Sequence, residues 1–206
     1  MTNTLTPNVR NITRVFRTAD AYQIESAAQW YSDAYEVAEA FAAKYSMTVE
    51  ATAAVIAVLS PMNAWGNNVN LAARILAQGG HAAGGGLPAN IAKANRIILG
   101  ESPETVVGGR KVTNFYRSIL TKGAEGLTVD RHAFDIAVNV RHTDADRPGI
   151  SKGMYAAVTD AYGRAARILS REYGIPLTAG QVQSVTWMTW RARYWAPGAF
   201  DAHAVI

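Results

Sequence analysis

Cysteine is absent from all 206 residues, and this absence removes several classes of chemistry at once. Disulfide frameworks, thiolate nucleophiles, zinc–thiolate sites and iron–sulfur clusters all require that side chain. The four histidines are scattered, and no two of them have the spacing of metal ligands on one helix. We therefore expect a protein that uses neither a metal ion nor a cofactor.

Long apolar runs are also scarce. The longest, residues 51–59, is far too short to cross a bilayer. The first 21 residues are polar and lack the continuous apolar stretch of a signal peptide. We therefore expect a soluble protein of the cytoplasm that does not contact a membrane.

Helical periodicity is present along nearly the whole chain. Apolar residues recur at intervals of three and four, whereas no segment shows the alternation of a strand. With about half of its residues apolar, the chain can build one sizeable core. The sequence predicts an all-α domain with about eight helices, near residues 24–42, 48–59, 64–78, 88–99, 109–121, 131–140, 152–173 and 178–195.

The formal net charge of +4 is unevenly distributed along the chain. Residues 110–171 contain eleven lysines and arginines but only six acidic residues, so that this stretch carries +5. A local basic excess is what binding to a nucleic-acid backbone requires. The charge therefore favours a polyanionic partner for this part of the chain.

Two short motifs lie within this basic stretch. Residues 107–114 read Val-Gly-Gly-Arg-Lys-Val-Thr-Asn, and residues 129–132 read Val-Asp-Arg-His. Lys111 and Asp130 are nineteen residues apart, about the length of one helix and a turn. The motifs and their spacing resemble those of the endonuclease III branch of the helix-hairpin-helix DNA glycosylase superfamily, as in a divergent phage-encoded member.

This resemblance implies a fold and a catalytic pair. It implies a two-lobed helical domain over 1–206, in which 22–150 form a hairpin-bearing core and 151–206 add long helices that complete the second lobe. Lys111 and Asp130 would be catalytic, acting on double-stranded DNA with a flipped base, and we expect a monomer. The further residues that the resemblance places against DNA are Asn63, Gly108, Gly109, Arg110, Thr113, Arg131 and His132.

The chemistry of these residue types agrees with those roles. Glycines before a helix start let the backbone approach a phosphate closely. A lysine amine can attack the anomeric carbon of a sugar, and a carboxylate can stabilise the positive charge that develops there. Asp130 is also a suitable N-cap for the helix that follows it. His132 is more simply a structural hydrogen-bonding residue, and the aromatic residues around Trp187 are more simply core than a surface for base stacking.

Three functions remain open on the sequence. The first is a DNA base-excision N-glycosylase, with an abasic-site lyase step if Lys111 forms a Schiff base. The second is a phage DNA hypermodification enzyme that acts on a thymine derived from 5-hydroxymethyluracil, in the host cytoplasm. The third is a non-catalytic DNA-binding protein that uses its basic surface alone.

The predicted role of Lys111 in a lyase step can be tested directly. If its amine forms a Schiff base with an abasic site, borohydride will trap a covalent protein–DNA adduct, which gel electrophoresis detects. We expect the adduct with the wild type and its loss in Lys111→Ala, while Lys122→Ala retains it. Trapping that survives Lys111→Ala would contradict the role of Lys111.

Overall fold

The computed structural model describes residues 5–143 and 145–194, and this part of the chain contains ten α-helices and no strands. The all-α prediction is therefore confirmed. In chain order the helices are α1 (Val9–Phe16), α2 (Ala21–Tyr45), α3 (Val49–Leu59), α4 (Trp65–Ala77), α5 (Pro88–Ile98), α6 (Pro103–Val106), α7 (Arg110–Leu120), α8 (Arg131–Val138), α9 (Lys152–Tyr173) and α10 (Ala179–Tyr194).

Eight of these helices lie where the periodicity predicts them, and their ends show why. The side chains of Thr48 and Asp130 accept hydrogen bonds from backbone N–H groups in the first turns of α3 and α8. Asn139 and Gly174 adopt the left-handed conformation that ends a helix at the C-termini of α8 and α9. The predicted end of the last helix at residue 195 lies outside the described residues.

Two helices, α1 and α6, were not predicted. α1 has only eight residues, and two of them are arginines. Its apolar residues therefore repeat too few times to reveal a helical period. It is stabilised by burial of Ile12 and Phe16, both 0% exposed, rather than by intrinsic propensity. α6 is a single four-residue turn that begins at a proline.

The described residues form two units. The first holds the chain up to Trp30 and from Leu127 onward, and the second holds Tyr31–Gly126. Helix α2 runs from the first unit into the second. In the first unit α1, α8, α9 and α10 pack around one core. The largest fully buried side chains of that core are Tyr162, Phe16, Phe134 and Ile12.

The second unit is organised around α3. Eight of the eleven residues of this helix are buried, and it packs against α4, α5 and α7. Thr52 donates a hydrogen bond from its hydroxyl to the carbonyl of Ala38 (2.7 Å), and the amide of Asn68 donates to the carbonyl of Ile56 (3.0 Å). No single described helix is long and apolar enough to cross a membrane; α2 and α3 meet that test only together, across a bend of 117°.

The turn that leads into α8 is held by one buried tyrosine. The hydroxyl of Tyr155 on α9 donates to the carbonyl of Leu127 (2.6 Å) and accepts from the N–H of Val129 (3.1 Å). Leu127 and Val129 are themselves buried, at 5% and 2% exposed. The position of Asp130, the next residue, therefore depends on α9 as well as on its own helix.

Removal of this hydroxyl should destabilise the first unit. We expect Tyr155→Phe to lower the free energy of unfolding by about 1–2 kcal/mol, because the buried turn loses two hydrogen bonds. Urea denaturation measures the change. Tyr22→Phe is the control, because Tyr22 is 71% exposed. An equal, small effect of both substitutions would show that the Tyr155 hydroxyl does not hold the turn.

Candidate functional site

The carboxylate of Asp130 is fixed by three hydrogen bonds from two helices. Its Oδ1 accepts from the backbone N–H groups of His132 (3.0 Å) and Ala133 (2.8 Å) at the start of α8. Its Oδ2 accepts from the indole Nε1 of Trp187 on α10 (3.0 Å). The residue is half-buried, and the three hydrogen bonds hold its carboxylate in one orientation.

Trp187 brings a cation and an imidazole to this carboxylate. The guanidinium of Arg191, one turn further along α10, lies 4.8 Å from the centre of the indole ring. The ring of His132 meets the indole edge-on, with ring centres 6.1 Å apart. We call these four residues, Asp130, His132, Trp187 and Arg191, the α8 cap cluster.

The electrostatics of the α8 cap cluster keep its histidine neutral. Burial lowers the pKa of His132 below its ordinary value; the charge of Asp130 opposes this, and the cations Arg131 and Arg191 add to it. Burial also lowers the pKa of the Arg191 guanidinium, again opposed by Asp130. At neutral pH the cluster therefore presents a fixed carboxylate beside a neutral imidazole, an indole and a guanidinium.

The same helix carries a second polar cluster that the sequence analysis did not predict. Asp135, 1% exposed, accepts from His142 Nδ1 on Oδ1 (2.7 Å) and from Arg147 on Oδ2 (3.3 Å). The imidazole of His142 stacks on Phe134 (ring centres 5.6 Å apart), and Arg147 also donates to the carbonyl of His142 (2.7 Å). These contacts tie the loop after α8 to its buried face. The sequence offered one signal for this cluster, because Asp135 is an acidic residue in the otherwise apolar segment 133–137.

The second predicted catalytic residue belongs to the other unit. Lys111 lies in the first turn of α7 with its side chain exposed, whereas Asp130 belongs to the first unit. Gly109 precedes α7 with a φ of 83°, which favours glycine, and the carbonyl of Gly109 accepts from the N–H of Thr113. Gly108 is half-buried beside it. Arg110, the first residue of α7, is exposed.

Asn63, predicted to contact DNA, caps a helix here. Its side-chain amide donates to the carbonyl of Leu59 (2.8 Å), and its N–H donates to the carbonyl of Ser60 (3.1 Å), so that it closes the end of α3. The neighbouring Met62 is 93% exposed and has a left-handed backbone with φ of 68°. Arg131 is exposed at the start of α8.

The aromatic residues of α10 divide between core and site. Trp190, 4% exposed, belongs to the core, where it contacts Tyr194 edge-on at 4.7 Å. Trp187 instead belongs to the α8 cap cluster. In the part of the chain that the structure describes, no group of three or more histidine, aspartate or glutamate side chains could hold a metal ion.

The comparisons with known proteins give a family but no activity. One family profile matches residues 1–194, and it is described as a family of unknown function, DUF7178. The protein belongs to this family, because the match covers nearly the whole chain. No curated protein matches the sequence, and no solved structure does. The assignment to the helix-hairpin-helix glycosylase superfamily, and to a phage-encoded member of it, is therefore wrong.

The two motifs led to the wrong superfamily because each of them marks the start of a helix. Residues 108–110 are a glycine turn that opens α7, and Asp130 is the N-cap of α8. Glycine at a positive φ and aspartate at an N-cap are common ways to begin a helix. Two such starts separated by one eleven-residue helix therefore reproduce the spacing of Lys111 and Asp130 without common ancestry.

The buried, neutral His132 predicts a dependence of stability on pH. Its folded pKa lies below the unfolded value of about 6.5, so acidification protonates the unfolded chain first. The stability that the neutral His132 contributes is fully present above about pH 6.5. It is lost as the pH falls toward the pKa of His132 in the folded protein. We expect the free energy of unfolding to fall as the pH is lowered below about 6.5, by at most about 1.4 kcal/mol per pH unit from this group.

Substitution separates this effect from other titrations. In His132→Gln the pH dependence should be smaller, whatever the change in absolute stability, when urea denaturation is repeated across the same pH range. The exposed His81 supplies the control, since His81→Gln should retain the wild-type dependence. An unchanged dependence in His132→Gln would contradict the buried neutral imidazole.

Proposed function

We propose that this protein acts on the bases of DNA and that Asp130 is its catalytic carboxylate. The observation that carries the proposal is the α8 cap cluster, in which a half-buried carboxylate with three donors lies beside an indole and a guanidinium. A group fixed in advance needs no reorganisation during a reaction, which is the usual source of electrostatic catalysis. The basic net charge of the chain supports a polyanionic substrate.

The proposed reaction is hydrolysis of the bond between a base and its deoxyribose. The bond between C1′ and the base nitrogen breaks, and the base leaves with the electron pair. Positive charge then develops on the sugar, where the carboxylate of Asp130 stabilises it. Water adds its oxygen to C1′, and its proton passes through the carboxylate to the departing base.

Trp187 and Arg191 supply what an unstacked base needs. A base must leave the helix before its glycosidic bond can be reached, and that costs a few kcal/mol of stacking. An indole covered by a guanidinium offers two planar groups against which a base can stack. The hydrogen bond from Trp187 to Asp130 keeps the stacking surface and the carboxylate together.

A catalytic role for Lys111 is still a prediction, and so is the alternative reaction in which a DNA base is modified. Lys111 is exposed and has no described contact with the α8 cap cluster, and its lyase step is left to the trapping test. A transfer reaction at a base derived from 5-hydroxymethyluracil would also use a carboxylate, to take a proton from an incoming amine. Excision and transfer differ in their products.

Nucleoside analysis of treated DNA tests the proposal. Duplexes with normal bases, damaged bases or 5-hydroxymethyluracil are incubated with the protein, and the products are measured by mass spectrometry. Asp130→Asn is the informative variant because asparagine caps helices as well as aspartate does. We expect a free base with the wild type and a fall of about a hundredfold or more in rate with Asp130→Asn.

The control is Glu39→Gln, which removes one negative charge from an exposed position on α2. It should retain the wild-type rate. An altered nucleoside in place of a free base would replace excision by modification at the same carboxylate. Unchanged DNA with the wild type, or full activity of Asp130→Asn, would contradict the proposal.

A further inference from the structure

Two rows of arginine lie on the exposed sides of α1 and α9. The helical spacing of three and four residues places each row on one face of its helix. All six side chains belong to exposed residues. The six, which we call the arginine face, are Arg10, Arg14 and the C-cap Arg17 on α1 and Arg164, Arg167 and Arg171 on α9.

The two rows are joined at the C-terminal ends of their helices. α1 packs directly against α9 in the first unit. The guanidinium of Arg17 forms a bidentate pair with the carboxylate of Glu172, at 2.8 and 2.7 Å, next to Arg171 in the chain. Phe16 also meets Tyr173 edge-on at 5.4 Å. The two rows therefore meet at the C-terminal ends of α1 and α9, where Arg17 lies beside the end of the α9 row.

Little acidic charge compensates the arginine face. Glu172 pairs with Arg17, and Asp160 lies 3.8 Å from Arg164. Arg14 donates to the neutral side chain of Asn139. Six arginines against these two acids leave a local charge of +4, which equals the formal net charge of the whole chain.

We propose that the arginine face binds the phosphate backbone of double-stranded DNA. The guanidinium group matches a phosphate with two parallel hydrogen bonds, and every basic residue of the face is an arginine. Arg164 and Arg171 are seven residues apart, or about 10 Å along α9, and a duplex presents several phosphates over that length because it carries one charge per about 1.7 Å of its axis.

The choice of DNA among polyanions rests on the proposed function, whereas the site itself rests on the charge and geometry of the face. The arginine face belongs to the first unit, whereas the glycine turn before α7, which the resemblance placed against DNA, belongs to the second. The α9 row is the better one to alter, because Arg17 and Arg14 of the α1 row already bond within the protein.

Salt-dependent binding to a fluorescent duplex of about 20 base pairs tests the inference. In the triple variant Arg164→Gln, Arg167→Gln and Arg171→Gln, we expect affinity to fall at least about tenfold near 0.1 M salt. The slope of log affinity against log salt concentration should decrease by about 2–3, because each phosphate that the variant no longer binds accounts for about 0.9 of it. Thermal melting checks that the variant folds, which its exposed positions allow.

A charge-matched control comes from the second unit. Arg74→Gln, Arg96→Gln and Arg117→Gln together remove three exposed arginines and should leave the slope nearly unchanged. Equal weakening by both triple variants, or none by the α9 triple variant, would overturn the inference. So would tighter binding to a single-stranded RNA with the same number of phosphates. Binding through the face without any base chemistry would instead refute the proposed function and leave this inference standing.

Discussion

The first unit depends on how α8 is held at its two ends. At the start, Asp130 satisfies two N–H groups of the first turn and receives the indole N–H of Trp187 from α10. At the end, the carbonyl of Ala137 accepts from the N–H of Asn8 and from the side chain of Asn11. An eight-residue helix is not stable alone, so α8 exists because its neighbours supply these contacts.

Burial of polar groups on α8 sets a second constraint. Asp135 is almost fully buried, and a buried carboxylate without partners would be very costly. His142 and Arg147 provide those partners and thereby fix the loop that leads toward α9. The helix that presents Asp130 is therefore anchored along its length. A carboxylate on such an anchored helix keeps its geometry when a substrate arrives, which is the basis of the proposed activity.

Helical periodicity and capping residues, which are both local features of the sequence, predicted much of the secondary structure. The long periodic helices α2 and α9, and the cap at Asp130, could be predicted because period and capping depend on neighbouring residues. α1 and α6 could not, because a short helix owes its stability to tertiary burial. The family resemblance failed for a related reason: its two motifs describe helix starts, which many unrelated helical chains share.

By itself, the sequence determined an all-α chain, most of its helix boundaries, the lack of thiol chemistry and the presence of Asp130 at a helix start. Only the tertiary structure decided which groups meet Asp130, since Trp187 is 57 residues away along the chain. Only the tertiary structure likewise brought the two arginine rows together, because Arg17 and Glu172, the pair that joins them, are 155 residues apart. Periodicity and capping act within a few residues, whereas these contacts depend on how the finished helices pack.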